Sequence, residues 1–166
     1  MAERDFIIDG ARVEFTGPFD LKGLSGLFRE FGSDKHYLII EKRHIEKKTP
    51  EGQFHDYIIS FTKKITDYAR SEVDVRIQIK DAKENVLKVG SKKKKILNGH
   101  ISFIVDGVLA TDYEARWESK PAFFFIKTLF DKFVFVPYMS GWKAQVDEET
   151  THLIENVKSF LNMQRF

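Results

Sequence analysis

The sequence predicts an α+β fold, a six-stranded antiparallel sheet in meander order with helices packed on one face. Three observations carry that expectation. Side chains alternate apolar and polar across Tyr37–Trp117, turn-forming residues divide that region into short segments, and stripes of helical period flank it on both sides. All 166 residues fit one domain, 1–166, long enough to bury a single sizeable core.

Residues 6–16 alternate loosely and reach Gly17-Pro18, a strand followed by a turn. Asp20 then suits the N-cap of a helix over 20–31 with the stripe Leu21, Leu24, Leu27, Phe28 and Phe31, and Gly32 stands where helices commonly stop. Residues 37–47 and 54–65 make a hairpin around Thr49-Pro50-Glu51-Gly52. In 68–80, Ala69, Ser71, Val73, Val75, Ile77 and Ile79 alternate with polar neighbours, as in a strand with one buried and one wet face. Residues 94–105 and 108–117 make a second hairpin around Asp106-Gly107, a dipeptide that favours tight turns. Its last strand would turn Leu109, Tyr113, Ala115 and Trp117 inward, and Asp112, Glu114, Arg116 and Glu118 outward.

Pro121 opens a helix over 121–134. Phe123, Ile126, Phe130 and Phe133 are expected in its core-facing stripe, while Phe124 or Phe125 borders a cavity or an exposed apolar patch. A last helix over 147–163 carries Leu153, Ile154, Val157, Phe160 and Leu161 on one side, with Glu148 and Glu149 at its positive end.

With 42% hydrophobic and 31% charged residues the composition is that of an ordinary globular protein, and sixteen Phe favour a core of large rings. Cysteine is absent, which excludes disulfides, thiolate metal sites and a cysteine nucleophile and fits a reducing, cytoplasmic setting. No window reaches the roughly 18 uninterrupted apolar residues of a membrane-spanning helix. The N-terminus does not read as a secretory signal.

The order strand, helix, antiparallel meander, C-terminal amphipathic helix resembles the START-like helix-grip proteins, which include polyketide cyclases and lipid carriers. The resemblance covers most of the chain and lies in the order of elements rather than in a motif. It implies a curved sheet that wraps a long C-terminal helix and leaves a cavity for an apolar ligand. Two features depart from it, the extra helix at 121–134 and the shortness of the last one. The stretch DYEARWESKP followed by FIKTLFDKF is also similar to short uncharacterised archaeal proteins, which imply no activity.

Motifs that carry chemistry are few. The five histidines (His36, His44, His55, His100 and His152) show no pair at metal-ligand spacing, and there is no phosphate-cradling glycine loop and no serine elbow. His44 and His55 lie on paired strands and can meet across the hairpin, where a solvent-facing pair is expected. No catalytic residue, metal site or cofactor follows from the sequence.

The expected function is that of a non-catalytic binding protein, which holds an apolar small molecule or lipid between sheet and helices. Tyr113, Trp117, Phe124 and Phe125 are its candidate ligand contacts. An enzyme of cyclase or hydrolase type in the same cavity would lack identifiable catalytic residues. The alternative is an interaction protein that docks a lysine-rich sheet end on RNA, a ribonucleoprotein or an acidic partner. Successive hairpin turns alternate ends, so the Thr49–Gly52 turn and segment 80–95 fall together. Residues 46–52 and 80–95 hold nine lysines against Glu46, Glu51, Asp81 and Glu84, a net +5 in a chain of net +2. Lys47, Lys48, Lys92, Lys93, Lys94 and Lys95 are the contacts this alternative requires.

Overall fold

The alternation at residues 69–79 becomes the middle of a five-stranded antiparallel sheet in the computed structural model, which describes residues 3–114 and 121–163. The strands are β1 (Glu3–Phe19), β2 (Leu38–Thr49), β3 (Gly52–Lys64), β4 (Ala69–Val89) and β5 (Lys92–Thr111), and they lie in the order β1-β5-β4-β3-β2. Helix α1 (Leu21–Lys35) joins β1 to β2. After the sheet come α2 (Pro121–Phe130), a π-helical turn at Asp131–Phe135, and α3 (Val136–Met163).

One face of the sheet carries the core. Val73, Val75, Ile77 and Ile79 of β4 are buried there with Phe61, Ile101 and Phe103. The stripe of α1 (Leu24, Phe28, Phe31) and that of α3 (Leu153, Val157, Leu161) close over them. Phe61 is the hub, with edge-on ring contacts to Phe28, Phe31 and Tyr37 at 5.9, 5.4 and 6.4 Å. Such pairs add about 0.5–1.5 kcal/mol each beyond the area they bury. A smaller cluster of Ala69, Leu109 and Val146, with Met139 and Trp142 packed on it, ties the first half of α3 to the other end of the sheet.

Several expectations are corrected. The sheet has five strands because Asp106-Gly107 is not a turn. β5 runs straight through it, with Gly107 paired to both Ile8 and Val73. A side chain at Gly107 would meet Thr150 Oγ1 of α3 at 2.6 Å, so this glycine lets the helix approach the strand. Asp106 instead accepts a hydrogen bond from the Gly10 amide at 2.6 Å, beside an irregularity in β1. Gly17-Pro18 also lies within a strand, paired with Gly99 and Asn98, and Pro18 is tolerated because β1 is an edge. Helix α1 continues past Gly32, which packs against the Ile39 side chain, and stops at His36 in the left-handed region. The return segment 80–95 is itself a hairpin, turning at Gly90.

The two C-terminal helices prove to be one helical run. Pro137 has no N–H to donate to the carbonyl four residues earlier, and the π-helical turn falls immediately before it. Glu149 therefore sits inside α3 rather than at a helix start. Its carboxylate accepts hydrogen bonds from Lys63 (2.6 and 2.7 Å), Tyr37 (2.6 Å) and Gln145 (3.2 Å). The aromatic segment is corrected as well. Ile126 and Phe130 are 43% exposed and Phe133 is 71% exposed, so they are not core, while Phe125 lies on the same exposed apolar surface. The sheet face they were expected to cover is already filled by α1 and α3. Phe123 and Phe124 lie on α2 with side chains outside those described. Among the described residues, no helix is long and apolar enough to cross a membrane.

Candidate functional site

Helix α3 lies mainly over β1, β5 and β4 and reaches β3 at Lys63, while α1 packs on β2 and, through Phe28 and Phe31, on Phe61 of β3. Between α1 and those strands is a cleft of about 370 Å³, walled by Leu24 and Phe28 on the helix and by Ile39, Ile59 and Ile77 on the sheet. Leu21, Lys22 and Tyr57 border both this cleft and a second one of about 260 Å³, lined by His44, Glu46, Gln53, His55, Glu84 and Lys95. The two clefts adjoin along these shared walls, one end of the trough apolar and the other polar.

Two bulges build the polar end. Along β2, Ile39 and Glu41 pair with Phe61 and Ile59 on the inner face. The register then slips at Lys42, because Glu41 pairs with Ile59 and Arg43 with Ile58. A one-residue slip exchanges the faces of everything beyond it. His44 and Glu46, which strict alternation from Ile39 would send outward, thus join the inner face opposite Tyr57 and His55. The same device operates on β4. A bulge between Lys80 and Lys83, with Asp81 at φ 54°, carries Glu84 inward behind Ile79. Three polar side chains are thereby delivered to one spot beside His55.

His55 is buried, and its ring is held on both nitrogens, by Tyr57 Oη on Nδ1 and Gln53 Oε1 on Nε2, each at 3.2 Å. Burial holds its imidazole below the ordinary 6.5, against the opposing pull of Glu46 and Glu84, so the ring is neutral at physiological pH. His44 lies against Tyr57 with its ring tilted by 34°, at 4.5 Å between ring centres. Burial, aided by Glu46 and Glu41, raises the Tyr57 hydroxyl, which keeps its proton. Gln53 also donates to Glu84 at 3.2 Å. The expected solvent-facing histidine pair is therefore half right: His44 is exposed and His55 is not.

The sequence-selected residues fall elsewhere. Tyr113 lies beyond the end of β5, where its hydroxyl donates to the Thr66 carbonyl at 3.2 Å and Arg70 stacks on its ring at 4.9 Å. Trp117 and Ala115, with Arg116 and Glu118, lie outside the described residues. Phe125 is on α2, away from the cleft lining. The lysine-rich segments do share one end of the sheet, but they do not form one surface. Lys94 pairs with Asp20 at 2.7 Å, at the N-cap of α1, and Lys95 lines the cleft. Burial raises the Asp20 carboxyl, but hydrogen bonds from Lys94 and the Gly23 and Lys22 amides outweigh it and hold it below the usual range. Lys47 borders a separate hollow with Lys80 and Phe54, and Lys48 faces Gln53 across the hairpin. Lys92 and Lys93 stand exposed near the tip of the β4–β5 hairpin.

No protein-family model matches this chain, and neither a curated protein nor a solved structure is significantly similar to it.

Proposed function

We propose that this protein binds an amphiphilic small molecule or lipid in the trough between α1 and strands β2–β4. The apolar part would lie against Phe28, Ile39, Ile59 and Ile77, and the polar head would reach His44, Lys22 and Lys95. The observation that carries this reading is that an apolar cleft and a polar one adjoin, with Leu21, Lys22 and Tyr57 lining both. A volume of about 370 Å³ with hydrophobic walls and a few convergent polar groups suits a small-molecule site. A helix-grip-like arrangement fits as well, since the long α3 lies on the inner face of an antiparallel sheet, as the START-like resemblance implies. The contacts proposed are those of the trough, not the four aromatic residues selected from the sequence.

Ser25 is exposed and lines the apolar cleft from the helix side, so Ser25→Trp narrows it without touching the core. A fluorescent fatty-acid analogue should bind the wild type saturably and the variant at least about tenfold more weakly, a loss of roughly 1.4 kcal/mol. Equal affinity for both proteins, or no saturable binding, refutes the proposal.

The lysine-rich hairpin favours a second reading, docking on RNA. Beyond Ala82, which pairs with Gln53 at the start of β3, the β4–β5 arm projects by roughly 20 Å. Lys88 and Lys93 pair across it, next to Lys92. Binding through phosphates would give a log–log salt slope of about −0.7 per single-stranded contact, flattened by replacing Lys88, Lys92 and Lys93 with Gln. No binding at low salt leaves the arm a solubilising edge.

A further inference from the structure

We propose that His44, Glu46 and His55 form a binding site for one divalent ion of the zinc class, at the polar end of the trough. Each offers one ligand atom, and the three atoms lie within 4.8 Å of one another. Two imidazoles and a carboxylate suit zinc and its neighbours, whereas calcium and magnesium prefer all-oxygen sites. Three protein ligands leave a coordination position open, and here it faces the trough.

The backbone supplies the preorganisation. Glu46 is directly opposite His55 across the β2–β3 ladder, and His44 is two residues along the same strand. Directly paired residues have Cβ atoms about 5 Å apart, the spacing from which two side chains can converge on one ion. The bulge at Lys42 is what places His44 and Glu46 on His55's side of the sheet. Bulges are over-represented beside functional sites because they re-aim side chains in this way.

The surrounding shell is also in place. When one His55 nitrogen takes the metal, Tyr57 or Gln53 holds the other, the outer partnership that fixes the orientation of metal-bound histidines. His44 is steadied by its tilted ring contact with Tyr57. Zinc bonds of about 2.0–2.2 Å bring ligand atoms to roughly 3.3 Å from one another, so binding requires about 1 Å of side-chain rotation. His44 and Glu46 are exposed and free of the core, which permits it, while buried His55 is the anchor. Glu84 adds a negative charge nearby, and Lys22 and Lys95 oppose the cation from the far wall. Those lysines favour an anionic group as the remaining ligand.

This site does not rest on an amphiphile in the trough, and its test uses metal alone. Titrating the full chain with Zn²⁺ by calorimetry, and with Co²⁺ by visible absorption, should show saturable one-to-one binding. His44→Ala and Glu46→Gln alter exposed residues and leave folding intact. Each should weaken Zn²⁺ binding by at least about tenfold and change the Co²⁺ spectrum. His55→Ala should abolish binding, checked by circular dichroism for a folded chain. His100→Ala and His152→Ala should change nothing. Absence of saturable binding, or binding unaffected by His44→Ala and Glu46→Gln, overturns the assignment.

Discussion

Glu149 is a charged residue in the interior of the fold, and its environment decides its protonation. Burial by itself would raise its carboxyl, but the hydrogen bonds from Lys63, Tyr37 and Gln145 outweigh that and hold it below the ordinary 4.5. Burial, with a contribution from Glu149, pushes the Tyr37 phenol well up, so Tyr37 remains a donor. Because the folded-state value is depressed, the stabilisation is present above pH 4.5 and is lost as pH falls through the folded value. Glu149→Gln should cost about 1.5–3 kcal/mol at neutral pH in urea denaturation, and the gap to wild type should narrow in acid. A gap that stays constant with pH would place the effect in packing rather than charge. Two phenylalanines make a second test. Phe61→Ala should lose about 3–5 kcal/mol, and Phe133→Ala, at an exposed position, within about 0.5 kcal/mol.

Where whole elements are concerned, the same dipeptide can serve different backbone needs. Asp106-Gly107 reads as a hairpin turn because both residues suit tight turns, yet the helix packing on Gly107 has no signature in neighbouring residues. Gly107→Ala should cost about 1–3 kcal/mol by overpacking against Thr150. Thr150 Oγ1 is buried with no hydrogen-bond partner among the described residues, so Thr150→Ala alone should be mild. The double variant should be more stable than the sum of the single losses predicts, a coupling that a thermodynamic cycle measures. Additive losses would mean that helix and strand do not press together there. The bulges at Lys42 and at Asp81–Ala82 were hidden for a related reason. A bulge leaves only a slip in phase, visible between Glu41 and His44 once pairing is known and indistinguishable beforehand from ordinary irregularity. The strands themselves, and the stripes of α1 and α3, were legible because burial on one side writes a period into the residues.

For the molecule as a whole, an α+β plan with an antiparallel sheet was readable, with α1 and α3 on its core face, and the placement of the aromatic helix was not. Six phenylalanines within residues 123–135 look like core, but a sheet face has finite area. The sequence does not state that α1 and α3 occupy it first. The candidate site was missed by the same logic, since it depends on which strands α3 leaves uncovered and on two register slips. The exposed aromatics of α2 and the trough beneath α1 therefore compete as places for an apolar ligand, and they are well separated in sequence. Amide chemical-shift mapping during titration with decanoate distinguishes them directly. A ligand seated in the trough gives saturable shifts at residues 21–29, 39–46, 53–59 and 95–97, with α2 unaffected. Shifts confined to residues 125–138, or none at any decanoate concentration below micelle formation, would contradict that placement.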